Sequence, residues 1–187
     1  MLFLMHQMLY SRFTIAQVPS LVMAFKQRNL QLINSAVSNF SQRANIINLA
    51  VYWSVMSADE GDFDNISLQN EDLNNNPELP SGISLINSDP KILKSWSSSK
   101  TKNNNMHTVD NNIPTLLISG GYDPITPPKN GEITASKLKT STHVVFNNEG
   151  HVPVNTCFFN LAKDFLNNPN KQLDTSCSES TNPIRFN

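Results

Sequence analysis

Two short loops in the last third of this sequence carry side chains suited to acid–base chemistry. The first reads Gly120-Gly121-Tyr122-Asp123-Pro124-Ile125-Thr126-Pro127-Pro128, and the second Asn147-Asn148-Glu149-Gly150-His151. A carboxylate that accepts a hydrogen bond from an imidazole fixes its tautomer and stabilises the imidazolium formed when the ring takes a proton. Asp123 and His151 are 28 residues apart, which suits neighbouring loops separated by one strand and one helix. Each alone has a plainer explanation. Asp before Pro is common in turns, and Gly-His after a strand is often a simple turn. His143 falls within an extended run and reads as structural, and His6 and His107 lack a comparable setting.

The elements that must hold these loops are legible around them. Thr115-Leu116-Leu117-Ile118-Ser119 is a short β-branched and apolar run stopped by Gly120-Gly121, the pattern of a buried parallel strand. Residues 129–138 predict a helix with Ile133 and Leu138 inward, and Thr142-His143-Val144-Val145-Phe146 a second strand. From Val154 to Leu166 the sequence is amphipathic, with Cys157, Phe158, Leu161 and Phe165 on one face and Pro169 just beyond. Strand, helix, strand, helix is the order of an α/β unit with parallel strands and a crossover. In open parallel sheets functional groups gather at the carboxyl ends of strands, so both loops are expected side by side.

The chain is expected to divide into residues 1–112 and 113–187. The first part reads as helical. Leu21, Val22, Phe25 and Leu30 can share a face, as can Leu32, Ile33, Val37 and Phe40. A third stretch holds Ile46, Ile47, Leu49, Ala50, Trp53 and Val55. Residues 60–88 and 97–112 are polar and read as loops, with a short helix from Pro90 to Trp96 between them. Met1 to Tyr10 is apolar but has no preceding positive charge, is broken by His6 and Gln7, and lacks a cleavage site. It therefore reads as the first turns of an amphipathic helix rather than a signal peptide.

Composition sets outer bounds. A length of 187 residues is enough for one domain with a real core, and 39% hydrophobic with 16% charged residues is ordinary for a globular chain. The net charge of −1 gives no basic excess to attract phosphate backbones, so nucleic acid is not an expected partner. No run reaches the roughly 18 apolar residues of a membrane span. The histidines and cysteines lack metal-ligand spacing, and no glycine-rich phosphate loop is present, so no metal and no cofactor is expected. Cys157 and Cys177 are open to two readings. They are separate reduced thiols, or a disulfide closing a loop of 20 residues and worth about 3 kcal/mol.

The stretch Ile113 to Pro128 resembles the acid loop of α/β-hydrolases, and its Thr126-Pro127-Pro128 is similar to exported hydrolases of the tripeptidyl aminopeptidase-like and proline iminopeptidase-like family. Glu149-Gly150-His151 resembles their catalytic histidine turn. Cys157, Phe165-Leu166, Pro169 and Leu173-Asp174-Thr175-Ser176-Cys177 resemble their C-terminal ending. The resemblance covers about residues 113–177. It implies a partial α/β-hydrolase fold: a helical cap region over residues 1–112, then the last parallel strands and helices of the sheet. It also implies hydrolysis of an amide or ester through an acyl-enzyme, on a peptide or small amide or ester substrate, with release of N-terminal residues or short peptides. Asp123 carries over as the triad acid and His151 as the general base, with a Cys157–Cys177 pair and an exported location.

Two departures accompany the resemblance. The nucleophile elbow Gly-x-Ser-x-Gly occurs nowhere in the 187 residues, and Ser119-Gly120-Gly121 belongs to the strand before the acid loop. The expectation is therefore a truncated, split or mis-started product, inactive alone. The alternatives are half of a split hydrolase or a non-catalytic binding remnant. In the cap, Ser57 and Leu93 stand where relatives carry cysteines. Asp59 and Glu60 follow Ser57. A cap carboxylate could bind a substrate's α-ammonium by charge-assisted hydrogen bonds, or the two could be an ordinary solvated helix end.

Overall fold

The computed structural model describes residues 1–44, 48–59, 67, 71, 74–77, 95–96, 112–151, 153–179 and 183–186. The chain forms two compact units, one of residues 1–4 and 27–107 and one of residues 5–26 and 108–187. The unit that holds both loops thus also takes in residues 5–26, a segment the sequence reading grouped with the helical part.

The second unit is built on a parallel pair of strands, β1 (Thr115–Gly120) and β2 (Ser141–Phe146), aligned from Thr115 beside Ser141 to Gly120 beside Phe146. The strand periodicity of two gives each face its own residues. Leu116, Ile118, Val144 and Phe146 lie on one face, where Val144 and the fully buried Phe146 pack with Leu161, Cys157 and Phe158 of α7 (Thr156–Asn167). Burying a side chain such as Phe146 stabilises by about 1.5–3 kcal/mol. On the opposite face Ser119 Oγ and His143 Nε2 share a hydrogen bond of 2.9 Å. The helix α6 (Pro128–Lys137) covers that face, bringing Gly131 over the Ser119–His143 pair. Pro128 begins α6, where a missing N–H costs nothing.

Ile133 differs from expectation. It is 46% exposed, because α6 turns its Gly131 side to the sheet and leaves Ile133 on the outer face; Leu138 is half-buried. The α7 face agrees better, with Leu161 buried and Cys157, Phe158 and Phe165 half-buried. Asn155 starts α7 by accepting a hydrogen bond from the Phe158 amide at 2.9 Å. Cys157 and Cys177 form a disulfide that ties α7 to α8 (Ser176–Glu179).

The N-terminal segment forms α1 (Leu2–Met8), α2 (Arg12–Ile15) and α3 (Val18–Lys26). Ser11 opens α2, and Thr14 Oγ1 donates to the carbonyls of Met8 and Ser11, at 2.6 and 2.9 Å, pinning the α1–α2 corner. Leu21 and Ala24 are the buried residues of α3. Leu30 does not share their helix. Arg28 takes a left-handed conformation at φ 55°, which ends the preceding helical run, and Leu30 starts α4 (Leu30–Ala44) with 67% exposure.

In the first unit, Asn29 caps α4 and Asn48 caps α5 (Leu49–Asp59). Within the expected α4 face Ile33 and Phe40 are half-buried, while Leu32 and Val37 are exposed. Phe40 meets Phe3 edge-to-face at 4.7 Å, and Trp53 meets Trp96 at 5.2 Å. Ser57 is buried and donates to the Trp96 carbonyl at 3.1 Å, so the hydroxyl at this position is hydrogen-bonded. Ile46, Ile47, Leu93 and nearly all of the expected 60–88 and 97–112 loops and of the Pro90–Trp96 helix lie outside the described residues. No helix among the described residues is long and apolar enough to cross a membrane.

Candidate active site

The carboxyl ends of β1 and β2 bring the two loops into contact. Gly121 N donates to the Phe146 carbonyl and Tyr122 N to the Glu149 carbonyl, each at 2.9 Å. The close approach also requires Gly120 to lack a side chain, since a Cβ there would overlap the Gly150 carbonyl oxygen. A backbone contact between the loops therefore sets the separation of the side chains they carry.

Asp123 is buried, and both of its carboxylate oxygens are occupied. Oδ1 accepts the amides of Ile125 at 2.8 Å and Thr126 at 3.0 Å. Oδ2 accepts the Thr126 hydroxyl at 2.7 Å and lies 2.9 Å from His151 Nδ1. The Asp-x-x-Thr spacing thus closes the acid loop on itself, a local use of short polar side chains to satisfy backbone donors. Burial pushes the Asp123 pKa up. The Thr126 amide and hydroxyl, the Ile125 amide and His151 together outweigh it, and the carboxyl titrates below the usual carboxylate range. The group is thereby held as a carboxylate, the form that accepts from an imidazole N–H.

His151 is partly exposed, its side chain retaining 29% of its surface. With Nδ1 donating to Asp123, Nε2 is the nitrogen left to exchange a proton. Its turn is braced from behind. Glu149 is buried, and its Oε1 lies 3.4 Å from Arg12 Nη1 and accepts from Asn155 Nδ2 at 3.2 Å. The Tyr10 ring meets the imidazole edge-on, with centroids 5.2 Å apart.

The two residues singled out from sequence, Asp123 and His151, are thus brought into hydrogen-bonding contact. Asp59 ends α5, but its side chain and the whole of Glu60 lie outside the described residues. His143, read as structural, sits between the sheet and α6 with Ser119. Sequence reasoning did not find Thr126, Tyr10, Arg12 or Asn155. Thr126 had a signal in its Asp-x-x-Thr spacing. Arg12 lies 137 residues from Glu149, and no local pattern links them. Among the described residues no group of three or more His, Cys, Asp or Glu could hold a metal ion.

Comparison with known proteins places this site in context. The family model described as TAP-like protein, of the α/β-hydrolase series, matches residues 88–177, which include Asp123, His151 and both cysteines. The chain is similar to a pimeloyl-[acyl-carrier protein] methyl ester esterase of Neisseria meningitidis serogroup B, 39% identical over 64 residues that cover 32% of this chain and 25% of the relative. The serogroup A counterpart is equally similar, with 20% of its length covered. The matched stretch thus spans a quarter or less of these curated relatives. No solved structure gives a significant match. The parallel strand pair with its helices fits an α/β class, and residues 88–177 are similar to α/β-hydrolases.

Proposed function

We propose that this chain supplies the acid and the base of a serine hydrolase that cleaves an ester or amide through an acyl-enzyme. The observation that carries the reading is the 2.9 Å hydrogen bond between His151 Nδ1 and Asp123 Oδ2, at the tips of two adjacent parallel strands. In this reading His151 Nε2 takes the proton of a serine hydroxyl as the oxygen attacks the carbonyl carbon. It then returns the proton to the leaving amine or alcohol. Asp123 orients the ring and stabilises the imidazolium without itself becoming protonated. The Asp-then-His order along the chain is that of α/β-hydrolases, in which the serine comes earlier.

The serine has to come from outside these 187 residues, because none of them forms Gly-x-Ser-x-Gly. We assign the substrate to peptides with a free N-terminus, on the resemblance of Thr126-Pro127-Pro128 and Glu149-Gly150-His151 to tripeptidyl aminopeptidase-like hydrolases. The same acid–base pair serves ester cleavage, which the methyl ester esterase relatives favour. In the expected cap region, Asp59 and Glu60 are the candidate partners for the substrate ammonium. The Cys157–Cys177 disulfide favours an oxidising compartment, and hence an exported protein.

The test is complementation. The DNA upstream of Met1 is read for a frame encoding Gly-x-Ser-x-Gly, and that product is co-expressed with this chain. The pair is then assayed with an aminoacyl anilide, a p-nitrophenyl ester and a serine-directed fluorophosphonate. Hydrolysis that needs both chains and is lost with His151→Ala supports the reading, and faster cleavage of the anilide supports the peptidase subclass. Ligand binding by the single chain that survives loss of both Asp123 and His151 would instead favour a binding remnant.

A further inference from the structure

We infer that the segment Leu9–Arg12 is a positioning device for His151, an inference that rests on His151 acting as the base. Three successive residues of the histidine turn each meet this segment. The buried Glu149 carboxylate faces the Arg12 guanidinium, with Oε1 and Nη1 3.4 Å apart. Gly150 lies so close to the Leu9 carbonyl that a Cβ would overlap it, and that Cβ would also stand 2.6 Å from the Tyr10 carbonyl carbon. The His151 imidazole meets the Tyr10 ring at 5.2 Å between centroids and 66° between planes.

The need for such a device follows from the geometry of the acid–base pair. One hydrogen bond at Nδ1 fixes the tautomer but leaves the ring free to rock about the line to Asp123. A second ring packed edge-to-face removes that freedom, and aromatic pairs have this angular preference built into their charge distribution. The segment is itself anchored. Ser11 opens α2, and Thr14 Oγ1 binds the carbonyls of Met8 and Ser11 on either side of Tyr10. Tyr10 is thus a positioning residue that acts through His151.

The experiment uses the full chain with ¹⁵N-labelled histidine and follows the Nδ1–H proton of His151, assigned by its loss in His151→Gln. A hydrogen bond to a buried carboxylate shifts this proton far downfield and slows its exchange with water. Tyr10→Phe keeps the ring and should leave both the shift and the exchange rate as they are. Tyr10→Leu fills much of the same space without a ring plane, and should speed exchange by about fivefold or more, the factor an aromatic pair contributes. Tyr10→Ala should do at least as much. Circular dichroism confirms that each variant is folded, and Tyr10→Leu decides the matter if Tyr10→Ala is not. An unchanged rate in a folded Tyr10→Leu chain would overturn the inference. If the wild-type chain shows no downfield proton, the Asp123–His151 reading fails and the inference falls with it.

Discussion

Asp123 receives four hydrogen bonds from three partners, and that arrangement gives its carboxylate two separable roles. Three of the bonds, from Ile125 and Thr126, hold the loop. The fourth holds His151. Asp123→Asn keeps a carbonyl oxygen for the loop but removes the charge that stabilises an imidazolium. In a completed enzyme it should lower kcat by about 10⁴-fold, measured on the complemented pair. Asp123→Ala removes every acceptor that the Ile125 and Thr126 donors use, and losing these hydrogen bonds should cost on the order of 1–3 kcal/mol in urea unfolding. The pH dependence follows from the lowered pKa. A carboxyl whose folded value lies below its unfolded value of about 3.9 contributes stability that is fully present above that value. The contribution is lost as the pH falls through the folded value. The urea midpoint of the wild-type chain should therefore drop more steeply below about pH 4 than that of Asp123→Asn, and parallel curves would contradict the assignment.

At the scale of elements, the site depends on two backbones touching and on one covalent tie. Gly120→Ala places a methyl group against the Gly150 carbonyl, and relief requires the acid and histidine loops to part. Overpacking of this kind costs about 1–3 kcal/mol. The expected signature is loss of the downfield His151 proton together with a lowered melting temperature; a retained signal would mean that the loops yield elsewhere. The disulfide fastens α7 to α8 beside the core of Val144, Phe146 and Leu161. Reduction, or the double change Cys157→Ala and Cys177→Ala, should lower stability by about 3 kcal/mol, read as a shifted urea midpoint. Much of this was legible in the sequence because it is local. The β-branched run Thr115–Ser119 ending in two glycines marks a buried strand, and the apolar face of Cys157, Phe158, Leu161 and Phe165 marks a helix. What was not legible is contact between distant segments. Nothing near Tyr10 or Arg12 shows that they meet a turn more than 130 residues away. Ile133 was misjudged because apolar periodicity could not show that α6 meets the sheet through Gly131, the residue small enough to fit over Ser119 and His143.

For the molecule as a whole, the strand pair poses the main physical problem. Parallel strands are normally covered on both faces and paired along their edges, because an open edge offers unpaired N–H and C=O groups to any passing strand. Among the described residues the sheet has two strands, each paired only with the other. Two strands are marginal for independent stability. Large apolar side chains add to the pressure. In this unit Phe13, Val154, Phe159 and Leu166 are all more than half exposed. Exposed apolar surface and open strand edges both favour association. The purified chain is therefore expected to elute ahead of its 20.9 kDa monomer in size-exclusion chromatography, to shift toward monomer on dilution, and to bind an apolar dye such as ANS. Co-expression with a chain that carries the rest of a parallel sheet should suppress both the association and the dye binding, because the added strands would occupy the β1 edge and cover its apolar flank. A monomer that melts sharply and cooperatively and excludes the dye would show that residues 1–187 cover their own sheet. The serine of the proposed hydrolase would then have to reach Asp123 and His151 by docking against a finished surface rather than by completing an open one.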